Sequence, residues 1–219
     1  MFIKNLFAVA VLAALPVVSA LAAPITLTTG QSRFDANTLN QGWWATEGFT
    51  NGNSNDNHYT GSAGGSTLRS FYSFDRSVVA GKVTGATFRV MRGYQNGNAN
   101  LSLWEVTTSA ALVNKNDGTN SAIFADLGSG ASYGNFVATN GAWNDYLSFS
   151  LNAQGLADLN RTKGFFTIGA AVNPGQNIFS STGGDVTYLD LQVSEVPEPA
   201  SIALLLLGIA GVGVARRRK

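Results

Sequence analysis

Few residues in this 219-residue chain have the chemistry for catalysis. It contains no cysteine, which removes thiolate nucleophiles, zinc–thiolate sites and disulfides. His58 is the single histidine. A multi-histidine metal site is therefore excluded, and a Ser–His–Asp site would have to use His58 as its base. His58 stands in Asn57-His58-Tyr59, at the end of an Asn-rich stretch, and reads as a solvated loop histidine. Paired carboxylates can hydrolyse glycosides. Here the acidic residues are scattered, and Glu47, Asp56 and Asp145, each near an aromatic, are the candidates. The expectation is that the chain is not an enzyme.

Two other groups have binding chemistry. Asn51, Asn53, Asn55 and Asp56 are dense in oxygen, and calcium takes six to eight such ligands. The stretch has one carboxylate and lacks the EF-hand order, so a loop held by Asx-turns competes with a structural calcium site. The four tryptophans, Trp43, Trp44, Trp104 and Trp143, are the candidates for stacking on a sugar ring. Trp104 sits in an alternating strand and reads as core. Trp43 and Trp44 are adjacent, so in a strand one faces in and the other out. This pair is the preferred stacking site.

The elements that must position these residues read as strands. Ile25-Thr26-Leu27-Thr28 is a first strand, and Trp43-Trp44 follows a polar loop. Residues 51–65 are too polar and glycine-rich for a regular element. Residues 68–74 alternate, with Leu68, Ser70, Tyr72 and Phe74 on one face. Residues 83–91 turn Ala86, Phe88 and Val90 inward, and residues 101–106 set Leu101 and Leu103 against Trp104 and Val106. Residues 110–133 are irregular, with a helical turn near Ile123. Residues 146–151 place Leu147, Phe149 and Leu151 inside. One short helix is expected at 153–160, capped by Asn152. Strands return at 165–172 and 186–193. Eight or nine strands with almost no helix imply an all-β antiparallel sandwich of jelly-roll type.

The two ends differ from this body. Residues 1–22 have Lys4 as a positive n-region, an apolar stretch and the small-x-small site Ala20-Leu21-Ala22. They read as a secretory signal peptide cleaved after Ala22. Residues 196–199 are Val-Pro-Glu-Pro, extended because each proline disfavours helix before it. Residues 202–215 are uncharged, and a helix over 200–215 approaches a membrane span when its flanking arginines snorkel. Arg216, Arg217, Arg218 and Lys219 should stay cytoplasmic. The expected organisation is signal peptide 1–22, β-sandwich 23–195 and tail 196–219. The body carries nine basic and twelve acidic residues, a charge of about −3. It lacks the basic face that nucleic acid requires.

The tail resembles the PEP-CTERM sorting signal of Gram-negative bacteria, in the order Pro197-Glu198-Pro199, apolar helix, Arg-rich end. The resemblance implies export by the Sec machinery, transient anchoring in the inner membrane and processing at Pro197, Glu198 and Pro199 by exosortase. It implies release to the cell surface or an exopolysaccharide matrix, with a structural or adhesive role in biofilm. The alternative is a carbohydrate-binding module with a defined glycan; a hydrolase ranks third. The body resembles the DNRLRE-type jelly-roll domains of exported surface proteins. The residues that carry this are Leu68-Arg69-Ser70-Phe71-Tyr72-Ser73-Phe74-Asp75, Val83-Thr84-Gly85-Ala86-Thr87-Phe88-Arg89-Val90 and Leu103-Trp104-Glu105-Val106-Thr107. Beyond the candidate calcium, no cofactor is expected.

Overall fold

A computed structural model describes residues 24–30, 34, 39–50, 52, 57–93, 95, 97–115, 117–178 and 185–194. They belong to one compact unit, Ala22–Val196. The signal peptide, the tail helix and the arginine end lie outside the described residues.

The strands are β1 (Ile25–Thr28), β2 (Gln41–Ala45), β3 (Thr60–Ala63), β4 (Ser66–Asp75), β5 (Lys82–Met91), β6 (Ala99–Glu105), β7 (Ser132–Ala138), β8 (Tyr146–Ser150), β9 (Phe165–Val172), β10 (Asn177–Ile178) and β11 (Tyr188–Ser194). The helices are α1 (Ala110–Lys115), α2 (Ser121–Asp126) and α3 (Ala153–Arg161). One sheet runs β1-β11-β5-β8; the other contains β4-β9-β6-β7, with β3 and β10 beyond β4 and β2 also paired to β4. Every pairing is antiparallel. If β1, β4, β5, β6, β7, β8, β9 and β11 are counted as one to eight, the sheets read 1-8-3-6 and 2-7-4-5. That is the double Greek-key order of a jelly roll.

Binary patterning explains the layers. Phe88, Val90, Leu189 and Leu191 from one sheet meet Tyr72, Phe74, Leu101, Leu103 and Ile168 from the other, and all are buried. Side chains of this size contribute roughly 1.5–3 kcal/mol each when buried. The even positions of β4 face this core, as expected. The middle of its other face is also covered: Phe71 joins Trp44, Val113, Ile123 and Leu127 in a second cluster under α1 and α2.

These helices, of six residues each, are too short to persist alone. The sheet holds them by their ends. Trp44 Nε1 donates to the Val113 carbonyl at 3.2 Å. Arg69 Nη1 donates to the Phe124 and Ala125 carbonyls at 2.9 and 3.2 Å, with its guanidinium 4.3 Å from the Phe124 ring centre. Gly169 lets α2 dock on β9, since a Cβ there would lie 2.5 Å from the Leu127 carbonyl oxygen.

Four expectations need correction. Three α-helices are present among the described residues where one was expected, and eleven strands where eight or nine were. Residues 60–63 form β3 despite their composition, because β4 supplies the ladder (Gly61 to Leu68, Ser62 to Thr67). Residues 132–138, assigned to no strand from the sequence, form β7. Its alternation is broken by a register shift opposite Leu103 and Trp104.

Candidate functional site

The proposed processing residues Pro197, Glu198 and Pro199, the end Arg216 to Lys219, and the signal residues Ala20 and Ala22 lie outside the described residues. So do the candidate calcium ligands Asn51, Asn53, Asn55 and Asp56. Among the described residues, no helix is long and apolar enough to cross a membrane.

His58 is completely buried, which corrects the solvated reading. It packs edge-on to Tyr72 with ring centres 5.6 Å apart, beside the buried Thr60–Ser70 hydroxyl pair at 2.8 Å. Burial alone drives its pKa down to about 3, so the ring is neutral at physiological pH. Residues 130–134 read Gly-Ala-Ser-Tyr-Gly, the spacing of a nucleophile elbow. Ser132 opens a β-strand, however, and does not stand at a strand-to-helix turn. Glu47 is exposed after β2 in one sheet, and Asp145 is exposed before β8 in the other.

The tryptophans separate by face. Trp44 is buried and closed to any ring. Trp104 is half-buried on the outer side of β6, not in the core as its strand position implied. Trp43 lies on the same face of the sheet as Ser70, opposite to Trp44, and is half-buried; its Nε1 donates to Asn57 Oδ1 at 2.9 Å, and its ring meets the Phe49 edge at 6.0 Å. Trp143, between β7 and β8, is 63% exposed.

The loop carrying Trp143 is braced. The Arg92 N–H donates to the Asp145 carbonyl at 2.7 Å, and the Asn144 N–H donates to the Arg92 carbonyl at 2.8 Å. Asn144 accepts a left-handed φ of 66°. The Arg92 guanidinium, buried beneath, lies 3.9 Å from the Asp145 carboxylate. A held, exposed indole is the arrangement that stacks on a pyranose face.

At the other end of β7 a polar cavity of about 200 Å³ opens between β6, β7, α3 and β9. Its walls include Glu105, Tyr133, Asp158, Arg161, Phe165 and Thr167. Helix α3 is set by its Asn152 cap, whose side chain accepts from the Gly155 N–H at 2.9 Å. Asn160 fastens the far end, accepting from the Val83 N–H and donating to the Val83 carbonyl, both at 2.8 Å. Asp158 is thereby turned inward and buried, accepting from Gln154 Nε2 (3.0 and 3.1 Å) and from Arg161. Tyr133 stacks on Phe166 at 5.5 Å. Burial, and then the charges of Asp158 and Glu105, keep its phenol protonated well above the usual range. Nothing in the local sequence marked Glu105 or Asp158, which are far apart in the chain.

On the outer face of the β1-β11-β5-β8 sheet, Arg89 bonds Asp190 at 2.5 Å and lies 4.7 Å from the Tyr188 ring centre. Burial pushes the Asp190 carboxyl up, but Arg89 and Thr26 more than offset this and hold it below its usual range. Burial and Tyr188 push the Tyr146 phenol up to about 12. These groups satisfy one another and leave little bonding capacity for a ligand.

Among its described residues the body is thus a jelly roll that carries an exposed indole at Trp143 and a polar cavity beside α3. Residues 195–219 match the PEP-CTERM protein-sorting motif. The match falls on the tail and reaches none of the described residues. None of the curated proteins matches the chain. The motif supports an exported, membrane-anchored precursor with exosortase as its processing partner.

Proposed function

We propose that the mature chain is a non-enzymatic protein of the cell surface or extracellular matrix of a Gram-negative bacterium. It is exported by the Sec machinery, held briefly in the inner membrane, cut by exosortase near Pro197–Pro199 and left in contact with exopolysaccharide, where it has a structural or adhesive role in biofilm. The sorting motif at residues 195–219 carries this reading. The body fits it: its charge of about −3 favours solubility, and its disulfide-free fold relies on a two-sheet core and a second cluster beneath two helices. The test is fractionation of the host matrix. The protein should co-purify with exopolysaccharide and be released when the polysaccharide is digested. A protein found wholly in the culture fluid, unchanged by digestion, would contradict the role.

A second reading is a carbohydrate-binding module with a defined glycan. The exposure of Trp143 on a braced loop favours it. A glycan array with the mature protein separates the two: saturable binding to one glycan class supports the module, and its absence leaves the structural role.

A further inference from the structure

We propose that the cavity between β6, β7, α3 and β9 binds one neutral or amino-bearing pyranose unit of a glycan, with Glu105 as its principal hydrogen-bond acceptor. This rests on the exopolysaccharide reading above and names the sugar chemistry that one site would take.

Size comes first. At about 200 Å³ the cavity is smaller than the ~300–1,000 Å³ pockets that hold drug-sized ligands, and it suits a single ring. Its lining combines what a sugar needs: the aromatic residues Tyr133, Phe165 and Phe166 for an apolar C–H face, and the carboxylate-bearing Glu105 for hydroxyls. Phe165 is itself packed, with the Phe34 ring centre 4.8 Å from its own.

The bonding inventory then separates the two carboxylates. Asp158 is committed to Gln154 and Arg161. Glu105 has only a long bond, accepting from the Ala131 N–H at 3.4 Å, and no cation pairs with it among the described residues. A half-buried carboxylate with unused lone pairs can take two vicinal hydroxyls or one ammonium group.

Charge sets the selectivity. Glu105 and Asp158 against Arg161 leave the cavity at about −1, so a uronate would bring like charge into a partly desolvated site. The Trp143 platform stands beyond the far end of β7, roughly 20 Å away at strand rise, so each site can be disabled separately.

The experiment is ligand-observed saturation-transfer NMR on the mature exported protein with glucosamine, glucose and glucuronate. Expected are Kd values of millimolar order for glucosamine and glucose and binding of glucuronate weaker by about tenfold or more. Glu105→Gln keeps the shape of the site and should weaken glucosamine by about tenfold, erasing its advantage over glucose, with the melting temperature unchanged. Trp143→Ala isolates the cavity: with the platform removed, the preference for glucosamine and its loss in Glu105→Gln should both persist. Absence of transfer, glucuronate binding equal to glucose, or a loss caused by Trp143→Ala but not Glu105→Gln would each overturn the proposal. If transfer is absent while the protein still co-purifies with exopolysaccharide, the cavity assignment fails and the matrix role stands.

Discussion

Acidification should destabilise the body through His58 more than through any other histidine effect, because the chain has no second histidine. In the folded protein the buried ring has its pKa lowered to about 3, and in the unfolded chain it returns to about 6.5. Between these values the unfolded state binds a proton that the folded state refuses, so stability present above pH 6.5 is lost as pH falls toward 3. Integrated from pH 7 to 4.5, one such group removes on the order of 2–3 kcal/mol, a large share of the 5–15 kcal/mol typical of a domain. Urea unfolding at the two pH values measures the loss, and His58→Gln isolates it. The variant will differ at pH 7 because packing on Tyr72 changes, so the quantity compared is each protein's change with pH. The wild type should lose roughly 2–3 kcal/mol more than the variant. Equal pH dependence in the two proteins would refute a buried neutral His58.

Gly169→Ala should lower stability by roughly 1–3 kcal/mol, because its Cβ would press on the Leu127 carbonyl and push α2 off β9; thermal unfolding reads this directly. Asn152→Ala removes the α3 cap and should cost about 1 kcal/mol, visible as a shift of the urea midpoint with an unchanged slope. Trp143→Ala should leave the melting temperature within about a degree, since the ring is exposed, while reducing retention of the protein on exopolysaccharide. Retention equal to wild type would remove the loop from the binding surface.

The legible parts of this fold are those in which local pattern and tertiary demand agree. Leu147, Phe149 and Leu151 alternate strictly because β8 has one solvated face, and Asn152 announces α3 through a cap that needs only its own neighbours. The illegible parts depend on distant partners. Gly61 and Ser62 have poor strand propensity, and their pairing is imposed by Leu68 and Thr67. His58 looked solvated beside Asn57, but burial against Tyr72 decides its state. Both Trp43 and Trp44 were candidate platforms; they do take opposite faces, yet Trp44 on the outer face is covered by α1 and α2, Trp43 is lodged against Phe49 and Asn57, and the open indole is Trp143. The cavity was invisible because Glu105 and Asp158 meet only after β6 and α3 pack at one end of the sandwich. The tail shows the opposite case. Its three-part order is carried entirely by adjacent residues, so it could be read without any fold.

The central claim is that the chain is exported and then cut at its tail. Intact-mass spectrometry of the surface-exposed protein from its native host tests this most directly. The expected chain begins at Ala23, ends near Pro197–Pro199 and lacks Arg216, Arg217, Arg218 and Lys219. A surface protein that still carries those four cations would contradict processing at the sorting motif and leave a permanently anchored membrane protein.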